Sequence, residues 1–127
     1  MSSYIDGYYG DCWLGYVAKL KREDIKPHTV LKVGITNAKD PMFRLRYKRN
    51  DEPYPISKYF PKIEILKVVK FQTEEEAIRW ERRVMWEVKT RYKSKKFHDW
   101  REDDPVSGIT EMRTWRDNEA LFVLSIA

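Results

Sequence analysis

The chain has 127 residues, of which 42% are hydrophobic and 14% aromatic, and its formal net charge is +5. That length fits one domain with an ordinary core, and that composition fits a packed globule rather than a disordered segment. The single cysteine, Cys12, excludes an internal disulfide and any cysteine-cluster zinc site within one chain.

In chain order, Trp13 to Lys21 reads as a first strand, followed by a polar connection from Arg22 to Thr29 that contains Pro27. Val30 to Thr36 alternates with a period of two, Leu31, Val33 and Ile35 pointing one way and Lys32, Gly34 and Thr36 the other. The two strands are expected to form an antiparallel hairpin. Asp40-Pro41 opens a helix, with the carboxylate as N-cap and proline at the first helical position, and the helix is expected to run to about Arg49. Pro53, Pro55 and Pro61 then mark an irregular crossing. Ile63 to Phe71 is dense in Ile, Val and Leu and reads as a third, largely buried strand. Thr73 and Glu76 form a capping box, so a second helix should extend from there to about Tyr92. Beyond it, 93–105 is charged and irregular, Ser107 to Arg113 fits a short strand, and Trp115 to Leu124 fits a closing helix. The expected class is α+β, a small three-stranded antiparallel sheet flanked by helices. One domain covers residues 1–127, with its core at about 13–92 and a C-terminal extension at 93–127.

No stretch approaches the ~20 apolar residues that span a bilayer, and Met1-Ser2-Ser3-Tyr4-Ile5-Asp6 lacks the layout of a secretory leader. No membrane partner and a cytoplasmic setting are therefore expected. The positive charge is clustered. Arg79, Arg82, Arg83, Lys89, Arg91, Lys93, Lys95 and Lys96 follow one another through the end of the second helix, opposed only by Glu81 and Glu87. Arg44, Arg46, Lys48 and Arg49 surround Tyr47 in a second cluster. Such stripes neutralise phosphates and release counterions, which points to a polyanionic partner with a phosphate backbone. Lys48, Arg49, Arg83, Lys93, Lys95 and Lys96 are the expected contacts, and a solvated helix face is the alternative for each cluster.

Glu81 stands apart. Its helical neighbours are Ala77, Ile78, Val84 and Met85, all apolar, so the carboxylate is expected centrally on the stripe that faces the core. A charge placed there costs several kcal/mol unless a cation or hydrogen bonds compensate it. Either it belongs to a functional site, or it is a core glutamate paired with an arginine such as Arg44.

The segments Gly15-Tyr16, Lys32-Val33-Gly34-Ile35-Thr36, Asp40-Pro41-Met42-Phe43-Arg44 and Ala77-Ile78-Arg79-Trp80-Glu81, in this order, resemble the GIY-YIG nuclease superfamily, particularly its compact phage and restriction-enzyme branches. The resemblance covers about residues 13–90. Its first motif has the glycine displaced, and its second reads Lys-Val-Gly in place of Tyr-Ile-Gly. It implies a metal-dependent endonuclease that cuts DNA phosphodiester bonds, with duplex DNA as its partner, nicking one strand or cleaving both, in a phage, mobile element or defence setting. Tyr16 would be the tyrosine beside the attacking water, Lys32 would replace the second tyrosine, and Arg44 would stabilise charge on the phosphate. Glu81 would hold a single Mg2+ or Mn2+. Lys48 lies where several relatives carry histidine.

The residue types suit that chemistry. A free tyrosine titrates near ~10, so a phenolate base needs cations beside it, and Lys32 and Arg44 are the candidates. Arginine grips phosphate oxygens in a bidentate fashion, and a hard cation accepts one carboxylate plus water and substrate oxygens. Each assignment has a plainer counterpart, Tyr16 as a core aromatic and Lys32 as a solvated lysine. The asparagine often found in the family's last segment has no counterpart here, and Glu111, His28 and His98 are minor candidates for auxiliary roles. Two other functions are expected alternatives. One is a non-catalytic DNA-binding or protein-interaction module derived from the same fold. The other is a structural or inhibitory protein using Trp80, Trp86, Trp100 and Trp115 as a contact surface. With no room for a separate recognition domain, sequence specificity would come from the tail, a homodimer or a protein partner.

Overall fold

The computed structural model describes residues 9–23, 28–46, 56–92 and 112–127. Strand β1 spans Tyr9–Lys21, β2 Thr29–Ala38, β3 Lys62–Phe71 and β4 Met112–Thr114. Helix α1 spans Pro41–Arg46, α2 Glu74–Tyr92 and α3 Asp117–Ile126, with a single 3-10 turn at Ile56–Lys58. The class is α+β. The sheet has the order β3-β1-β2-β4, and every neighbouring pair is antiparallel. The three expected strands are therefore present, and a short β4 on the edge of β2 makes the sheet four-stranded. Residues 112–127 add β4 to the sheet and Ala120 and Val123 to the core.

β1 is central and is covered on both faces. Tyr16, Ala18 and Leu20 pack with Val30, Leu45, Ile56, Tyr59 and Phe60 on the face that carries α1 and the 3-10 turn. Val17 packs with Leu31, Val33, Trp80, Val84, Val88, Ala120 and Val123 on the face that carries α2 and α3. A strand sandwiched in this way has apolar residues at both parities, which is why its sequence shows no clean alternation. β3 changes parity part-way. Val17 stands opposite Lys67 and Ala18 opposite Ile65, so Leu66 is an extra residue in a β-bulge. The bulge lets Ile63 and Ile65 pack on the α1 face while Leu66 and Val69 pack on the α2 face.

Local chemistry fixes the helix starts. The Met42 N–H donates to Asp40 Oδ1 at 2.8 Å, with Pro41 in the first turn of α1. The Glu76 N–H donates to Thr73 Oγ1 at 3.2 Å, and the Thr73 hydroxyl donates to Glu76 Oε1 at 3.3 Å. α3 is held at its end by two cations. Lys67 Nζ donates to the Leu124 carbonyl at 3.2 Å and Arg83 Nη2 to the Ile126 carbonyl at 3.0 Å, which satisfies carbonyls that the helix leaves open.

Glu119, in the first turn of α3, is 1% exposed, and neither carboxylate oxygen has a hydrogen-bond partner among the described residues. The positive end of the helix returns up to about 1 kcal/mol for such a carboxylate, whereas an unsatisfied buried polar group costs about 1–3 kcal/mol. The cost wins. Glu119→Met keeps the side-chain volume and is expected to raise the melting temperature by about 3–8 °C. A thermal melt that drops instead would show that the carboxylate contributes more than its burial costs.

Candidate functional site

The cross-strand register decides which candidates share a face. Tyr16 stands directly opposite Gly34, and Lys32 stands opposite Ala18. Gly34, Lys32 and Tyr16 therefore lie on the α1 face, with Tyr16 and Lys32 as diagonal neighbours at roughly 7–8 Å between backbones. Parity within each strand does not settle this; the pairing does.

The glycines explain how closely these groups are assembled. A Cβ at Gly34 would lie 2.5 Å from the Tyr16 hydroxyl oxygen and 2.6 Å from its Cζ, so the phenol lies flat across the β2 backbone. A Cβ at Gly15 would lie 2.6 Å from the Trp80 ring, on the opposite face. One glycine admits the candidate tyrosine, and the other admits the residue before the candidate glutamate. Trp80 also meets Phe71, with ring centroids 5.8 Å apart, so the first half of α2 is seated on the Trp13–Phe71 end of the sheet.

Tyr16 is only 1% exposed and Lys32 only 4%. The plainer counterpart for Lys32, a solvated lysine, does not hold: the side chain is buried and does not project into water. Tyr16 belongs to the core cluster, as its plainer counterpart required. Arg44 is half-buried on α1, next to Leu45, which packs into the same cluster as Tyr16. Tyr16, Lys32 and the helix bearing Arg44 are thus collected on one face.

Glu81 is placed differently. The buried stripe of α2 is Ala77, Trp80, Val84 and Val88, and it packs against the other face of the sheet. At 100° per residue Glu81 falls on the shoulder of that stripe with Ile78 and Met85, all three half-buried. The expected central position is therefore corrected to a flank. Its neighbours are apolar, as the spacing indicated, but the fully buried line of the helix is Ala77, Val84 and Val88. Glu81 interacts with other groups of the protein, as do Tyr16, Lys32 and Arg44.

An open cleft of about 620 Å3 lies on the α1 face, within the usual size of ligand sites. Its walls include Leu14, Val68 and Lys70 from the sheet, and Lys39, Asp40 and Pro41 at the start of α1. Val68 is the β3 partner of Tyr16, so the cleft begins one residue row from the phenol without including it. Lys39 and Lys70, which the sequence did not single out, bring two cations to this opening. Their role becomes visible only when β3 is set in register beside β1.

A metal held at Glu81 would rest on few protein ligands, and α2, which carries that residue, packs on the face opposite the cleft. Among the described residues no three His, Cys, Asp or Glu side chains are grouped to hold one. Glu81 alone, with water and phosphate oxygens completing the shell, fits a hard cation such as Mg2+ or Mn2+ and does not fit a structural zinc site.

Of the expected DNA contacts, Lys48, Arg49, Lys93, Lys95 and Lys96 lie outside the described residues. Arg83 is occupied by the Ile126 carbonyl and by Glu87, at 3.6 Å, so its first role is to fasten α3 to α2. Arg91 likewise stands 4.6 Å over the Phe122 ring. Of the tryptophans proposed as a contact surface, Trp80 is buried and Trp115 is half-buried under Lys19, whose Nζ is 4.3 Å from the ring centre. Trp86 alone of these three is exposed, and Trp100 and Glu111 lie outside the described residues. Among the described residues no helix is long and apolar enough to cross a membrane.

No family model, curated protein or solved structure matches this chain.

Proposed function

We propose that this chain is a metal-dependent endonuclease of the GIY-YIG kind that hydrolyses DNA phosphodiester bonds, with Tyr16, Lys32, Arg44 and Glu81 as its working groups. The observation that carries the reading is the interlock of the two motifs, with the Tyr16 phenol lying across Gly34 on the face shared with Lys32 and α1. A lysine ammonium close to a phenol favours the phenolate and opposes the effect of burial. The phenolate then takes the proton of a water whose oxygen bonds to phosphorus as the leaving oxygen departs. Arg44 holds the non-bridging oxygens and is matched to the charge that grows on them. Mg2+ or Mn2+ bound by Glu81 would stabilise the departing oxygen. The cleft beside Tyr16, with Lys39 and Lys70 at its opening, gives a phosphate backbone a route to this face.

The depth of Tyr16 and Lys32, and the seating of α2 on the opposite face, favour a second reading, a DNA-binding module without catalysis. One experiment separates the two. Supercoiled plasmid incubated with the purified chain is expected to be nicked or linearised in Mg2+ or Mn2+ and untouched in EDTA. Retarded, salt-sensitive plasmid that stays supercoiled with both metals would leave the binding module standing and remove the nuclease.

A further inference from the structure

Trp86 is 66% exposed on α2, on the side away from the buried Ala77, Trp80, Val84 and Val88. Tryptophan is the largest apolar side chain, and leaving it in water forgoes the burial that drives folding. Among the described residues it belongs to neither core cluster. Its helical neighbours are Arg82 four residues before and Lys89 three after, with Arg79 one further turn back, and all three are exposed.

The cations of α2 divide into two sets. Arg83 and Arg91 turn toward α3 and are engaged with the Ile126 carbonyl and the Phe122 ring. Arg79, Arg82 and Lys89 make no ion pair among the described residues, and no acid interrupts their ridge. Glu75 stands one turn ahead of Arg79 without pairing to it. Three exposed charges, unpaired among the described residues, and one exposed indole thus share a ridge of roughly 15 Å.

We propose that this ridge is a platform for unpaired DNA, with the Trp86 ring stacked on a base and Arg79, Arg82 and Lys89 on the phosphates either side. A duplex hides the faces of its bases, so an indole at the crest of a basic ridge gains nothing from it beyond what the cations supply. A single strand offers both a π-face and a charged backbone at this spacing. The ridge lies on the outer surface of α2, away from the sheet face that holds Tyr16 and Lys32, so it would hold a displaced or single-stranded segment apart from those residues. The proposal does not rest on catalysis.

The test uses the full chain in EDTA, with fluorescence anisotropy of a labelled 20-nucleotide oligothymidylate and of a 20-base-pair duplex at several salt concentrations. Trp86→Ala is expected to weaken single-strand binding about 5- to 100-fold, and duplex binding less than about twofold. Trp86→Phe, which keeps a stacking ring, should recover most of that loss. Replacing Arg79, Arg82 and Lys89 together by glutamine should lower the single-strand salt slope by about 2. Unaltered single-strand binding by Trp86→Ala, or equal loss on both probes, would overturn the platform. Because metal is absent and Trp86 is not one of the four working groups, failure here leaves the nuclease reading untouched, and an inactive chain leaves the platform standing.

Discussion

Glu81→Gln is expected to abolish metal-dependent nicking, by about a hundredfold or more, while leaving the thermal melt within a few degrees of the parent. The argument joins charge to position. Glutamine keeps the shape of the side chain and its contacts beside Ile78 and Met85, so the flank of α2 stays packed. It removes the negative charge that a divalent cation requires, and a metal contributes several kcal/mol of charge stabilisation in the transition state. Among the described residues no group of three or more His, Cys, Asp or Glu side chains offers the cation another site. If the variant nicks plasmid at the parent rate, the carboxylate is a core group after all and the catalytic assignment is lost. If it instead unfolds, the partner that engages Glu81 is structural, and a melt alone reports that outcome.

The second large effect is expected at Gly34. In Gly34→Ala the new methyl group would meet the Tyr16 ring at 2.5–2.6 Å, well inside the contact distance of ~3.5 Å. Tyr16 has nowhere to swing, since Ala18, Leu45 and Phe60 belong to the same buried cluster. Overpacking of this kind costs about 2–3 kcal/mol, which for a chain of this size lowers the melting temperature by roughly 6–15 °C. The diagnostic measurement is a double-mutant cycle with Tyr16→Leu. With the phenol gone, Gly34→Ala should cost less than about 1 kcal/mol, leaving a coupling well above the ~0.5 kcal/mol scatter of independent sites. Equal costs in both backgrounds would mean that the glycine serves something other than the tyrosine.

Much of the fold was legible because its signals are local. The Asp40-Pro41 start and the Thr73–Glu76 box act within one helical turn, and both helices begin where those residues place them. The β2 alternation assigned Leu31 and Val33 to one face and Gly34 to the other, and the packing agrees. What was not legible depends on partners distant in sequence. The strand from Tyr9 to Cys12 carries no alternation, and the β1–β2 register shifts between Tyr9 and Leu14. The bulge at Leu66 comes from pairing with β1, which the apolar run of β3 cannot reveal. The burial of Lys32 stayed open because alternation distinguishes two sides of a strand without saying that both are covered. Glu81 looked central because four apolar neighbours surround it. The weight of Trp80, drawn in over Gly15, rotates the stripe toward itself. The reason for Gly34 needed the register of two strands, and no window along the sequence contains both.

One end of the sheet bears on how copies of the chain meet. β3 is an outer strand, and along its length Lys62, Glu64 and Lys70 are exposed while Lys67 is tied to α3. A second molecule adding itself there would bring identical lysine-rich rows together, and the usual effect of such charges is to discourage ribbon-to-ribbon growth. Two-fold assembly, if both strands of a duplex are to be cut at once, would then be built through helices, loops or the short β4 margin, leaving β3 bare.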